Sequence, residues 1–520
     1  MAVDSSDFST SGAECQFDVN RPISLSASTV TAFIGRTQRG PLNEPVRVGS
    51  FEEYRRVFGG HSSFSYLSYV VQQYFQHGGR LAVVVRIANR AIRATLELPA
   101  GGQRLVLQAR EPGNHCFLRA SVDFDGLGND DQRFNLVVQR VARPGSQLVE
   151  DQELFHALSF VEGDKRYFAD ILAESLMVQP LKPFPQQRPE ATRATHPGHP
   201  IPYVEISSNG SDGEELTDYD VVGSIDERTG LFALDSVDQV DLICIPPEPA
   251  DRDLGTTSFI AAERYSEQRR AMLVWDPPSS WSSADTALIG LRNSGFESPS
   301  ALTYYPRVRF IERSGRVKDA VPASGVIAAL LSQHDQAGPW RPLALSDMRL
   351  KAGLSPCDAV DTRAAKSLQR SGINSFRNND KGFAEFSGDV TLARSRSVSA
   401  LWQHLDRRRL AFFIVTSVER RVRLFFDKPY IETSWQDAVF QVGGFLEELF
   451  ARGALAGSSS EQAYIVRAVA DPASGESSYL LRIGFALANA GELQFFDITR
   501  GPRGVTSHRA REMEAARRAV

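Results

Sequence analysis

The sequence predicts a multidomain protein of mixed α/β and α+β class, built around a discontinuous α/β core. The chain has 520 residues, more than one hydrophobic core usually organises. Two strand-helix-strand patterns lie far apart, at residues 30–87 and 240–278, and a stretch of alternating β pattern lies between them. These observations predict an α/β domain that is interrupted by an inserted β-rich domain.

The first part of the core is predicted over residues 29–90. Val30 to Ile34 is a short apolar strand. A helix over Phe51–Phe58 begins after Ser50, and Glu53 completes the S-x-x-E spacing of a capping box. A second helix ends near Phe75 and leads into LAVVVRI, whose continuous apolar run fits a strand covered on both faces. This order predicts a parallel pair of strands.

The middle of the chain changes character twice. Residues 91–178 contain alternating segments such as RFNLVVQRV, joined by turns rich in Gly and Asp, and form the predicted β-rich insertion. Residues 179–220 include a proline-rich stretch, PLKPFPQQRPEATRATHPGHPIP, whose composition predicts an exposed polar loop. The α/β core resumes over residues 221–395 with VDLICIPP and AMLVWDPP, which should extend the first sheet by parallel crossover.

A C-terminal α+β domain is predicted over residues 396–498. Helical spacing predicts two helices, and VRLFFD between them predicts a strand. Three more strands are expected in YIVRAV, YLLRIGFAL and ELQFFDI, the last two as a hairpin. Residues 1–28 and 499–520 are predicted to be terminal arms.

The composition excludes several classes of function. The 58 Lys and Arg nearly balance the 63 Asp and Glu, which gives no general attraction to nucleic acid or to an anionic membrane. No segment has the apolar length for membrane insertion, and the N-terminus lacks the features of a secretion signal. We therefore expect folding and assembly in the cytoplasm. The four cysteines form no C-x-x-C pair, so neither zinc nor a disulfide framework is expected.

No catalytic or cofactor motif is found. The loop GRTQRGP lacks the Gly-Lys-Ser/Thr of a phosphate-binding loop, and the sequence contains neither G-x-S-x-G nor H-E-x-x-H. The alternative to a structural role is an α/β enzyme with an unrecognised site. Asp276 would be its candidate residue, because it follows a predicted strand where ligand crevices of open sheets occur.

Two groups of residues invite a metal interpretation that we do not adopt. His196 and His199 form H-P-G-H, but no third ligand is adjacent. Asp123, Asp125, Asn129 and Asp130 lack the order of an EF-hand, and a turn between two strands accounts for them more simply.

Three short segments are candidates for contacts between subunits. Cys15, Phe17 and Val19 alternate with polar residues, which predicts a strand that must pair with a sheet in its own chain or in a neighbour. The strand predicted in ELQFFDI contributes the other candidate residues for such a sheet: Leu493, Phe495 and Ile498. A basic run at a helix start would oppose the helix dipole and could be either a solvated face or a partner surface; its residues are Arg407, Arg408 and Arg409.

Several collinear segments resemble contractile tail sheath proteins. The resemblance covers about residues 29–498 and is weakest in the insertion and the proline-rich loop. Its segments are GRTQRGPLNEPVRVGSFEEYRRVFGG, YLSYVVQQYFQHGGRLAVVVRI, VDLICIPP, AMLVWDPP, TYYPRVRF, VPASGVIAALLSQHDQAGPWRPLA, SGINSFR, LDRRRLAFFIVTSVERRVRLFFDKPYIETSW and FLEELFARGALAG.

This resemblance implies a structural protein and no enzyme. Many copies would stack as rings around an inner tube, and contraction would drive the tube through a target envelope. It also implies that terminal arms complete the C-terminal sheet of neighbouring subunits. In such an assembly we expect Arg407, Arg408 and Arg409 to face the tube or a neighbour, because three cations at an unfavourable helix end suggest an external anionic partner. The implied partners are the same chain, an inner tube protein, and baseplate and terminal cap proteins, in a phage tail or a tail-like particle.

Overall fold

The computed structural model divides the chain into two compact units. It describes residues 23, 29–114, 117–128, 132–193, 202–206, 210–249, 252–311, 315–343, 348–378, 384–394, 400–426, 432–470, 479–487, 489, 492–501 and 504–509. The first unit, here the body, contains residues 29–333 and 344–398. The second, here the C-terminal unit, contains the described parts of residues 334–343 and 399–520. Residues 334–343 thus leave the body in mid-chain, which the sequence analysis did not predict.

The body mixes strands and helices along the chain, and in the C-terminal unit the strands come last. The strands are β1 Thr31–Gly35, β2 Pro45–Val48, β3 Ala82–Arg86, β4 Arg93–Ala100, β5 Gln103–Pro112, β6 Leu118–Asp123, β7 Arg133–Val141, β8 Val149–Ser159, β9 Val178–Leu181, β10 Val204–Glu205, β11 Leu242–Cys244, β12 Met272–Val274, β13 Ala301–Leu302, β14 Tyr304–Tyr305, β15 Val308–Ile311, β16 Val317–Val321, β17 Leu354–Pro356, β18 Asn374–Asn378, β19 Ala384–Ser387, β20 Tyr464–Ala470, β21 Tyr479–Phe485, β22 Gln494–Gly501 and β23 Gly504–Arg509. The α-helices are α1 Phe51–Phe58, α2 Leu67–Gln76, α3 Phe168–Ala173, α4 Asp218–Val222, α5 Thr256–Arg269, α6 Ala284–Ser294, α7 Ser324–Ala337, α8 Thr362–Arg370, α9 Leu405–Phe426, α10 Glu432–Ala451 and α11 Ser460–Ala463.

A six-stranded sheet forms the centre of the body. β1 pairs in parallel with β3 on one side and β11 on the other, and β12 and β13 continue the parallel order. Every residue of β1 and β3 is buried, as expected for apolar strands covered on both faces. The prediction that both α/β segments share one sheet is confirmed. The short antiparallel edge strand β2 was not predicted.

The insertion is β-rich, as predicted, and its two antiparallel sheets share one core. The sheets have the orders β4-β5-β9 and β10-β6-β7-β8. Leu96 and Leu107 of the first sheet lie in the same buried cluster as Leu136 and Val138 of the second. Alternating burial along β4 and β5 produces this arrangement, because one face of each strand turns inward.

Parts of residues 179–220, predicted as an exposed polar loop, are strands instead. β9 pairs with β5, and β10 pairs with β6. The Phe184 ring packs edge-to-face on Phe168, and the Arg188 guanidinium lies 3.9 Å from the ring centroid of Phe124. The proline-rich segment therefore lies on a core that another part of the chain builds. Composition alone does not reveal this, because the segment need not supply its own core.

The C-terminal unit contains helices α9 and α10 and an antiparallel sheet with the order β20-β21-β22-β23. The predicted strand VRLFFD is wrong, because α9 continues through Phe426. Val422 follows Val418, Val415 and Ile414 at helical spacing, and all four are buried. The arm predicted from residue 499 begins instead as strand, since β22 extends to Gly501 and pairs with β23 of the same chain.

Candidate assembly interface

The C-terminal sheet has an inner face that contributes to the core of its unit. Leu481, Ile483 and Phe485 of β21 alternate with residues on the other face and are fully buried. They pair in register with Ile498, Phe496 and Gln494 of β22. α9 contacts β22 and β23, and α10 contacts β20, so the two helices lie along the sheet. The two-residue period of the strands thus separates a core face from an outer face.

The three predicted acceptor residues do not share one surface. Ile498 is fully buried on the inner face. Phe495 lies on the outer face, opposite Gly484, and a Cβ atom on Gly484 would approach the Phe495 ring to 2.7 Å. Leu493 is half-buried and precedes β22. Ile498 is therefore a core residue, and Phe495 is the predicted residue that lies on the outer face.

A charged pair that the sequence analysis missed also occupies the outer face. Arg482 and Asp497 are opposite each other in the ladder, and the guanidinium donates two hydrogen bonds of 2.6 and 2.7 Å to the carboxylate. The side-chain hydrogen bond to Asp497 raises the pKa of Arg482. A bidentate pair of this kind fixes the register of two strands. The sequence shows only that the two residues have opposite charges; that they face each other follows once the register of the hairpin is known.

Among the strands that the structure describes, two form the edges of the sheet. β23 forms one edge and β20 the other. At the β20 edge, the Tyr464 hydroxyl donates to Glu447 Oε2 of α10 at 2.6 Å, and burial is the main reason that its pKa rises to about 12. An edge strand presents a row of backbone N–H and C=O groups. Cys15, Phe17 and Val19, the predicted incoming strand, lie outside the described residues.

The arginine run lies in the first turns of α9, as predicted, but two of its three side chains are buried. The Arg408 guanidinium lies 5.1 Å from the Trp402 ring centroid and 4.3 Å from that of Phe412. Arg409 pairs with Asp335, and both side chains are at most 10% exposed. The expectation that all three arginines lie on the surface is therefore wrong. Their partners come from the same chain, and Arg407 alone is half-buried.

Asp276, the candidate residue of the enzyme alternative, accepts hydrogen bonds from the start of a helix. Its Oδ1 accepts the backbone N–H groups of Ala323 and Ser324 at 3.0 and 2.9 Å, and its Oδ2 accepts the Ser324 hydroxyl at 2.6 Å. Asp276 therefore satisfies the first donors of α7, which begins at Ser324. Burial raises its pKa to about 6, and these hydrogen bonds oppose that rise.

The glycine-rich loop after β1 connects parts of the body. Its Gly40 N–H donates to the Glu111 carboxylate at 2.9 Å, and its Gly40 carbonyl accepts from Arg86 at 2.7 Å. Arg36 pairs with Glu248 at 3.3 Å. Gly40 has φ = 104°, and a Cβ there would approach the Phe58 ring to 2.6 Å. A carboxylate of the protein thus already accepts the Gly40 amide that an anion would need.

The two metal interpretations gain no support from the described residues. Asp123 accepts the Asp125 N–H at 3.0 Å and the Asn135 side-chain amide at 2.6 Å, which agrees with the predicted turn. Asn129, Asp130, His196 and His199 lie outside the described residues. Within the described part of the chain, no helix combines the length and apolar character needed to span a bilayer.

Solved structures similar to this chain are sheath proteins. A sheath tail protein from Listeria innocua matches with a TM-score of 0.63 and 13% identity, over 93% of this chain and 95% of that chain. One from Desulfitobacterium hafniense matches with a TM-score of 0.54 and 11% identity, over 94% and 97%. The contracted PVC sheath complex of an extracellular contractile injection system matches with 0.52 and 14%, over 94% and 96%. Neither a family model nor a curated protein sequence matches the chain. The chain thus has the sheath-protein fold.

Proposed function

We propose that this chain, with its sheath-protein fold, is a structural subunit of a contractile sheath. It polymerises as stacked rings around an inner tube and contracts to drive the tube through a target envelope. The observation that carries this proposal is structural similarity over 93% of the chain to a sheath tail protein, together with the similarity to a contracted sheath. A match of that extent must include residues of both compact units.

Strand addition is the proposed link between subunits. The segment with Cys15, Phe17 and Val19 leaves one subunit and pairs at an edge of the β20–β23 sheet of another. The two edges that the described strands of that sheet leave, at β20 and β23, support this proposal, because a lone strand needs backbone partners. Such tethers keep subunits connected while the folded bodies move, so contraction passes from ring to ring without dissociation.

Arg407 is the remaining candidate of the arginine run for a contact with the inner tube or an adjacent subunit. Arg408 and Arg409 act indirectly, since their intrachain partners hold the first turns of α9 in place. Exposed charge pairs are individually weak, about 0 to 1 kcal/mol. Repetition in every subunit would make the extended state sensitive to salt.

The further proposed partners are the baseplate and a terminal cap. Assembly takes place in the cytoplasm, and the product is part of a phage tail or a tail-like particle. We propose no catalytic role. The use of the Asp276 carboxylate to begin α7 supports a structural assignment for the residue that the enzyme alternative would require.

Electron microscopy of the purified protein tests this proposal. Long hollow cylinders built from the chain are the expected result. Compact oligomers of fixed size, at concentrations at which the protein is folded, would contradict the sheath assignment and favour the enzyme alternative. A variant that lacks residues 1–26 is the matched control, because it should remain folded and form no cylinders.

A further inference from the structure

The C-terminal end of α2 holds two separate parts of the body. The carbonyl oxygen of the buried His77 accepts the side-chain amide of Gln333 at 2.7 Å. Its ring Nε2 accepts the backbone N–H of Lys351 at 3.1 Å. Residues 334–343, which belong to the C-terminal unit, lie between these two points in the sequence. One histidine therefore fixes the chain near the points where it leaves the body and returns to it.

The hydrogen bonds of the ring require a neutral imidazole. Nδ1 donates to the Gln73 carbonyl oxygen at 2.8 Å, so Nε2 must be the unprotonated nitrogen that accepts from Lys351. A proton on Nε2 would place one donor against another. The ammonium of Lys351, which donates to the Gln76 carbonyl at 2.6 Å, would then face a second positive charge.

Among the described residues that bond to His77, none supplies a carboxylate that would compensate for this charge. Of the groups described above, Gln73 and Gln76 of α2 and Gln333 of α7 are neutral, and Lys351 is cationic. Burial is the main reason that the pKa of His77 lies below its ordinary value of 6.5; the Lys351 charge lowers it further, whereas the bond to Gln73 raises it. The stabilising contribution of the neutral ring is complete above about pH 6.5 and is lost as the pH falls through the lowered pKa.

We propose that His77 is an acid-sensitive clamp on the excursion of residues 334–343. Protonation releases the Lys351 backbone from the ring, whereas the bond from Gln333 to the His77 carbonyl does not involve the ring and persists. Acid thus breaks the bond between the ring and the returning segment and leaves the departing end attached. This inference goes beyond the proposed function and does not depend on it, since the clamp lies within one folded subunit.

Hydrogen exchange of the full-length protein at about pH 7.5 and pH 5 tests the clamp, after correction for the intrinsic exchange rate. Protection of the amides at residues 349–354 should fall in the wild type once the pH passes below the pKa of His77, by up to about tenfold per pH unit. Peptides from β1 and β3 serve as the internal reference. In His77→Gln, whose amide oxygen can accept from Lys351 without titrating, protection should change by less than about twofold.

Unchanged protection in the wild type, or an equal loss in His77→Gln, would overturn the proposal. Lys351→Met provides a second measurement if His77→Gln does not fold. It retains the backbone N–H but removes the ammonium, so the pH midpoint of the protection change should move upward. An unmoved midpoint would also overturn the proposal. None of these outcomes depends on whether the protein forms sheaths.

Discussion

Removal of one partner from the buried pair Asp335–Arg409 should strongly destabilise the C-terminal unit. The two side chains are 10% and 6% exposed, and they connect residues 334–343 to α9. Asp335→Ala leaves the Arg409 charge buried without its carboxylate, which typically costs about 3 to 5 kcal/mol. Arg409→Met should cost a similar amount, because it removes the guanidinium that pairs with the buried carboxylate. Replacement of both by apolar residues, as in Asp335→Leu with Arg409→Met, should recover most of the loss.

Urea unfolding, followed by hydrogen exchange of α9 and of the C-terminal sheet, measures these changes in the relevant unit. Glu448→Ala is the matched control, because it removes an ion pair to Arg452 whose side chains are about half exposed. The control should lower the free energy of unfolding by about 0.5 kcal/mol or less. If Asp335→Ala were no more costly than Glu448→Ala, the pair would be energetically equivalent to a surface pair. If the double mutant had no higher free energy of unfolding than the less stable single mutant, the explanation that an unpaired buried charge causes the loss would be refuted.

Three further predictions concern other residues. Burial raises the pKa of Asp276 to about 6, so the folded protein holds a proton on this carboxyl more tightly than the unfolded chain does. The free energy of unfolding of the wild type, relative to that of Asp276→Asn, should therefore rise by about 2 to 3 kcal/mol as the pH falls from about 7 to 4. An unchanged difference between the two proteins in urea unfolding at the two pH values would contradict this. Phe495→Asp should lower the thermal midpoint of the C-terminal unit or shorten the assemblies that the protein forms. Phe495→Leu is the control, because it retains apolar cover over Gly484. If Phe495→Asp assembled and melted like the wild type, a role for this outer-face ring would be excluded. Deletion of residues 1–26 should leave the melting transition unchanged and abolish assembly in sedimentation experiments, so cylinders from the truncated protein would remove the arm from the mechanism.

The parallel strands β1, β3, β11 and β12 of the central sheet were predictable from sequence because they are short apolar runs bounded by glycine or proline. TAFIG and AVVVR leave few other ways to bury so much apolar surface. The start of α1 was predictable as well, since Ser50 accepts the Glu53 N–H at 3.1 Å. VRLFFD was misread because a short apolar run at the end of a helix has the composition of a strand. Its assignment depends on the preceding turns of α9.

The partners of the arginine run could not be predicted from local sequence. Asp335 lies 74 residues before Arg409 and in a segment that belongs, by position, to the α/β core. The unfavourable placement of cations at a helix start correctly indicated that an anionic partner was needed. It did not indicate that the partner would be internal. The proline-rich segment was misjudged for a similar reason, because the core that it covers is built by other strands.

Cryo-electron microscopy of particles assembled from this chain and its inner tube tests the sheath assignment most directly. The account predicts two forms built from the same subunit: a long, narrow cylinder that encloses the tube, and a shorter, wider cylinder from which the tube protrudes. Strand addition predicts that a segment of a neighbouring subunit pairs with the β20–β23 sheet in both forms. Cylinders of a single length under all conditions that release the baseplate, or a C-terminal sheet with no strand from a neighbour, would contradict the account.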